Sequence, residues 1–306
     1  MKSVSYLLKR ASGLFLLAAL TLGFAANLMA GDLKTIEEKT IPTSMGKKLE
    51  LSTSSGDVYV STWNRPEVYV KISGNKRAHD KMHFNIEGTG EGVKVQGKSG
   101  GSWLWFGWNV VYVKYEIKLP ANYNAYIRTS GGDIKIYDLN GSIKFETSGG
   151  DITLINTKGY TNLSTSGGDI KLENTSGDMK ISTSGGDVQV HNFNGNLKAS
   201  TSGGDMTLEG KGGRVEASTT GGDITLNYFD TNYGIDLETS GGDITVRVPG
   251  SFSANADLST SGGEIECSLP VTQTGKLTGS KLRGELNGGG KTLHCYTSGG
   301  DIKVIK

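Results

Sequence analysis

The chain is expected to fold as an all-β protein: a parallel β-helix (β-solenoid) of about 18 residues per coil, with an irregular β-strand cap at its N-terminal end. Three observations point there. A phrase close to Thr-Ser-Gly-Gly-Asp recurs along most of the chain, its acid falling at Asp133, Asp151, Asp169, Asp187, Asp205 and Asp223 at a constant spacing of 18. Apolar residues alternate with polar ones on both sides of that acid, the period of a half-buried strand. Glycine supplies 46 of 306 residues and proline only five, a balance that fits tight repeated turns rather than a linker.

The elements follow in chain order. Residues 1–30 have the layout of a secretory signal peptide: basic Lys2, Lys9 and Arg10, an apolar run over residues 11–26, and small residues around Ala30. No cysteine lies near the cleavage region, so a lipid anchor is not expected. Loss of the leader changes the formal charge from +1 to −2. That near-neutral balance gives no reason to expect nucleic acid as a partner. No later stretch is long and apolar enough for a transmembrane span.

Residues 31–120 read as an N-terminal strand cap and first coils. "LELSTSSGDVYVSTW" carries an early copy of the phrase, and "VYVKIS" and "VVYVKYEIKLP" alternate cleanly. Between the last two lies "SGGSWLWFGWNV", whose Trp103, Trp105 and Trp108 are candidates for packing over the open end of the solenoid or for contacting a ligand.

Residues 121–306 read as the solenoid repeats. Apolar side chains stand one and three places after each acid, as in Ile152 and Leu154, and eight and six before it, as in Ile143 and Phe145. Each coil is therefore two short strands and two glycine-containing turns, where a positive φ is tolerated. One such coil buries too few side chains to offset the ordering of its backbone, so it depends on the coils above and below. The acids continue at Asp243, Glu264, Glu285 and Asp301 with less regular spacing. Two-faced and three-faced coils both satisfy this pattern.

Stacking would set the acids in a file about 4.8 Å apart. Neighbours there repel by about 0.9 kcal/mol even in water. Three roles compete for Asp133, Asp151, Asp169, Asp187, Asp205, Asp223, Asp243, Glu264 and Asp301. The first is structural, with carboxylates accepting backbone N–H groups at the bend and helped by Lys135, Lys171 and Lys303. Calcium is the second, but Ca²⁺-binding β-roll repeats need Gly-x-Asp spacing at both turns, and this chain has Gly-Gly-Asp at one. Catalysis is the third, and it requires a break in the repeat; Tyr228–Tyr233 and Thr272–Gly290 are irregular but gather no acid, His and Arg in sequence. The structural role is expected, with no catalytic residue, metal or cofactor.

The remaining signals are smaller. Thr147, Thr165 and their equivalents share the inward phase and are expected to form a buried ladder. Cys267 and Cys295 occupy inward positions and could meet as a disulfide or stay as buried thiols. His79 and His83 have i,i+4 spacing without the following Glu of a zinc-protease helix.

In the stretches "LSTSSGDVYVSTWNRPEVYVKISG" (51–74), "EIKLPANYNAYIRTSGGDIKI" (116–136) and the later "TSGGDI" coils, the chain resembles the bacterial "putative-adhesin" family of exported β-helix repeat proteins. The resemblance implies an extracytoplasmic β-helix in a bacterial envelope and transfers no catalytic residue. Together these readings suggest an exported, non-enzymatic structural or adhesin-like element in periplasm, at the cell surface or secreted. The alternatives are a carbohydrate-binding module or a polysaccharide-active enzyme. Envelope polysaccharide or a surface protein is the candidate partner. The strand "TSGGDIKVIK", which ends the chain, is a candidate for end-to-end self-association.

Overall fold

The residues in phase with each acid are the ones the fold buries. In a computed structural model describing residues 33–100, 111–273 and 279–306, Ile143, Phe145, Ile152 and Leu154 have no exposed surface, and so have their equivalents Ile170, Leu172, Val188 and Val190. The outward residues between them are exposed or half-buried. The described residues form 27 strands and one short helix, arranged as two sheets of thirteen and fourteen strands. Each coil contributes one strand to each sheet, so the coil has two faces, and one continuous apolar core lies between them.

Pairing along the repeat is parallel and in register. Ile152 faces Ile170 and Leu154 faces Leu172; Ile170 in turn faces Val188. On the other sheet Ile143 faces Thr161, which faces Met179. Equivalent residues thus form columns, and a spacing of 18 residues becomes one step along the rod. The threonine column is buried: Thr165, Thr183, Thr201 and Thr219 are 4–6 % exposed. Each hydroxyl donates to the glycine carbonyl of the preceding coil, as from Thr183 Oγ1 to Gly168 O at 2.9 Å.

The two turns use glycine for different reasons. Opposite the acid, Gly159 (φ 122°) and Gly177 (φ 115°) do need the left-handed region. At the Ser-Gly-Gly-Asp turn the second glycine of the central coils is not in that region, contrary to the expectation from sequence. There the constraint is space, because a Cβ on Gly204 would fall 2.5 Å from the Gly186 carbonyl carbon.

Chain order and spatial order part at both ends. The Asp57 coil (strands Lys48–Thr53 and Asp57–Trp63) stacks directly on the Asp133 coil (Asn124–Thr129 and Ile134–Tyr137). The coil formed by Gly92–Ser99 and Val113–Pro120 follows Asp57 in sequence, yet it lies outside the Asp57 coil. Antiparallel strands Lys34–Pro42, Glu67–Gly74 and Met82–Thr89 then finish this end. The helix Lys76–Lys81 between them is capped by Asn75, whose Oδ1 accepts from Ala78 N at 2.9 Å.

The C-terminal end repeats the device. Strands Thr292–Thr297 and Ile302–Ile305 insert between the Asp243 coil and the coil of Ala254–Thr260 and Ile265–Cys267. The last strand is therefore paired on both sides, which removes the basis for end-to-end association through it. Glu285 also leaves the acid file: it sits on Lys281–Leu286, which runs antiparallel to Ala254–Thr260 and so breaks the coil. The outermost strands here, Ile265–Cys267 and Val271–Gln273, have three residues each, too short to template another chain readily.

Candidate functional site

The acid file is held by hydrogen bonds between coils. Asp151 N donates to Asp133 Oδ1 at 3.1 Å, Asp169 N to Asp151 Oδ1 at 2.8 Å, and Asp187 N to Asp169 Oδ1 at 2.8 Å. The series continues through Asp205, Asp223 and Asp243, starts one coil earlier at Asp57, and ends with Asp301 on Asp243 and Glu264 on Asp301. The acceptors serve the next coil's backbone rather than their own bend. Each aspartate carboxylate thereby meets an N–H dipole that offsets part of the repulsion from its neighbours. Lys135 and Lys303 approach Asp133 and Asp301 at 3.7 and 4.0 Å.

A second ladder was not visible as such in the sequence. Asp138, Asn156, Asn174 and Asn192 have φ between 54° and 62° and stack at the far end of one sheet. Nδ2 of each Asn donates to the residue before it, as from Asn174 to Asn156 Oδ1 at 2.9 Å. Asn tolerates the left-handed region better than most residues, and the column satisfies its side-chain amides. The repeated Asn four places after Ile152, Ile170 and Val188 was the available signal.

Trp103, Trp105 and Trp108 lie outside the described residues. Trp63, the remaining tryptophan, borders a hollow of about 350 Å³ with Met45, Arg65 and Pro120. Arg65 covers its ring at 5.0 Å, leaving that face unavailable for stacking on a sugar. Cys267 and Cys295 are free thiols on opposite sheets of adjacent coils. Burial raises both thiol pKa values. His79 Nδ1 contacts the neighbouring Asp80 at 3.2 Å, and His83 is on the following strand.

One outer face gathers the groups that the sequence kept apart. Along the fourteen-stranded sheet Lys198, Glu216, Asp236, His294 and Asp257 stand opposite one another on successive strands, and Arg283 follows. Most of these charges are paired. Glu216 accepts from Lys198 at 2.7 Å and contacts Arg214 at 2.8 Å; its carboxyl is held below the usual range chiefly by the Lys198 hydrogen bond. Asp257 is gripped by Arg283 through Nε at 2.9 Å and Nη2 at 3.0 Å, and that hydrogen bond lowers its pKa.

Between these pairs lie Asp236, Glu238 and His294. One ligand atom of each falls within 4.8 Å of the others, and Glu238 Oε1 is 3.8 Å from His294 Nε2. Asp236 Oδ1 is shielded from solvent with no hydrogen-bond partner among the described residues. Sequence reasoning missed this cluster because His294 reaches Asp236 only through the inserted C-terminal coil.

Comparison with known proteins covers most of the chain. The family model described as Toastrack DUF4097 matches residues 46–305. A "putative adhesin" from Bacteroides fragilis is 14 % identical, covers 89 % of this chain and 97 % of its own, and superposes with a TM-score of 0.46. A "putative lipid binding protein" from Parabacteroides distasonis is 15 % identical over 88 % of this chain and 96 % of its own, with a TM-score of 0.45. No curated protein matches the chain. Among the described residues no helix is long and apolar enough to cross a membrane.

Proposed function

The chain belongs to the Toastrack family, and from that premise we propose that it is an exported β-solenoid serving as a structural or adhesin-like element of a bacterial envelope, without catalytic activity. The observation that carries this reading is the acid file. Each aspartate in it accepts a backbone N–H of the adjacent coil, and Glu264 closes the file as a donor, so the most repeated polar group of the chain is engaged in stacking. Such a rod offers long, regular polar faces, which suits adhesion by many weak contacts. The leader-like residues 1–30 support passage out of the cytoplasm.

A second reading has its own observation. Tyr160, 49 % exposed, borders a shallow hollow of about 370 Å³ with Lys180, Asp178, and Lys198 and Arg214 paired to Glu216, which leaves the basic side chains one in excess of the acidic ones. An aromatic ring beside basic side chains suits an acidic polysaccharide.

The test is to express the full-length chain in a Gram-negative host, locate it by fractionation, and sequence its N-terminus. The exported protein is then offered immobilised envelope polysaccharides and intact cells, and polysaccharide cleavage is followed in parallel. Export with removal of the leader and retention on cells supports the proposal. Cytoplasmic retention with residues 1–30 intact, or turnover of a polysaccharide, defeats it. Binding to acidic glycans that is lost on Lys180→Glu favours the second reading.

A further inference from the structure

We propose that Asp236, Glu238 and His294 form a site for one divalent transition-metal ion of the zinc class, and that the ion staples the inserted C-terminal coil to its neighbour. The proposal stands apart from adhesion and does not depend on it.

Strand alternation builds the site. Ile235 and Leu237 point into the core, which turns Asp236 and Glu238 outward on Ile235–Glu238. His294 lies between buried Leu293 and Cys295 on Thr292–Thr297, directly opposite Asp236. Three ligand atoms within 4.8 Å need only small side-chain rotations to close on an ion. Around Zn²⁺, His N and carboxylate O stand at about 2.0–2.2 Å.

Charge singles out these three residues within the row. Glu216 on one side has Lys198 and Arg214, and Asp257 on the other has Arg283. Among the described residues no Lys or Arg pairs with Asp236 or Glu238; their ion-pair partner is His294, through Glu238. Two carboxylates and a neutral imidazole match a divalent cation in charge, and one imidazole with two carboxylates suits a metal of intermediate softness. The unpartnered Oδ1 of Asp236 is the independent sign. A shielded carboxylate oxygen without a donor is costly, and an ion would supply the missing partner. A groove lined by Ser218, Asp236 and Glu238, with Lys198 held by Glu216 at its other side, opens beside the cluster and leaves room for water as a further ligand.

The consequence is mechanical. Asp236 and Glu238 belong to the Asp243 coil, and His294 belongs to the coil that closes the slot beside it. A metal bond across that boundary would resist withdrawal of the last coil.

The experiment titrates ZnCl₂ into exported, chelator-stripped protein by calorimetry and measures Tm with and without zinc. Variants His294→Ala and Glu238→Gln are compared with His191→Ala, which removes a histidine paired with Glu209 at 3.8 Å on the other sheet. The expected result is one zinc per chain and a raised Tm in wild type and His191→Ala. Affinity should fall by at least about tenfold in both site variants. Glu238 is exposed, so Glu238→Gln keeps the test decisive if His294→Ala fails to fold. No binding by wild type, or equal binding by wild type and Glu238→Gln, overturns the site.

Discussion

Replacing Gly204 by Ala should cost the rod far more than replacing its neighbour Gly203, although the two are adjacent in one turn. Neither has a φ in the left-handed region, so backbone preference does not separate them. Space does. A Cβ on Gly203 would meet nothing closer than 3.6 Å, an ordinary contact. On Gly204 it would lie 2.5 Å from the Gly186 carbonyl carbon and 2.7 Å from Asp187 Oδ1, with the carbonyl oxygen closer still. Relief requires the two coils to separate locally by about an ångström. That displacement would stretch the Asp205 N to Asp187 Oδ1 bond (2.9 Å) and the Thr201 Oγ1 to Gly186 O bond (2.9 Å) beyond useful length. Overpacking and two lost bonds together amount to about 2–6 kcal/mol. Gly203→Ala should be neutral, or stabilising by up to about 1 kcal/mol through the unfolded state. Urea unfolding followed by circular dichroism gives both midpoints and slopes. Hydrogen exchange should place the Gly204→Ala loss in the Asp187 and Asp205 coils. Equal midpoints for the two variants would refute the claim that close stacking, rather than turn conformation, selects the second glycine.

Three further outcomes follow from particular contacts. Thr161 is fully buried in an otherwise apolar column, and its hydroxyl has no hydrogen-bond partner among the described residues; Thr161→Val should stabilise by about 1–2 kcal/mol in the same urea assay, and a lower midpoint would contradict it. Burial raises the Tyr115 pKa from 10.0 to about 12, a hydrogen bond to Thr53 partly opposing the shift. The folded state therefore keeps a proton that the unfolded state releases: this stability is complete below pH 10 and is lost as pH rises to about 12, by roughly 2–3 kcal/mol. Tyr115→Phe should flatten that alkaline decline, measured as urea midpoint against pH. Deleting residues 291–306 leaves the Asp243 and Glu264 coils without their shared neighbour; limited proteolysis should then cut within residues 250–290 while spanning the central coils intact, and unchanged resistance would contradict the insertion.

The insertion also marks where sequence reasoning stops. Periodicity exposes the coil because its causes are local: Ile152 and Leu154 must face inward, and the Asp151 amide needs an acceptor one step away. Those rules identify strands, turns and the acid file without any knowledge of coil order. They are silent on order for the same reason. The Asp243 carboxylate accepts the Asp301 amide at 2.8 Å as well as it would accept that of Glu264, and Thr297 reaches the Gly242 carbonyl as Thr239 reaches that of Gly222. With interchangeable interfaces, the decision passes to segments outside the repeat. Lys281–Leu286 covers the far side of Ala254–Thr260 in antiparallel pairing, leaving the slot beside the Asp243 coil for the last strands to fill. The N-terminal end uses Met82–Thr89 in the same way, placing Gly92–Ser99 outside Lys48–Thr53. His294 meets Asp236 through this non-repetitive part of the chain, so the cluster of Asp236, Glu238 and His294 could not be read from spacing. A repeat protein that builds a particular site has to break its own uniformity, and here the break is one of strand order rather than of sequence phrase.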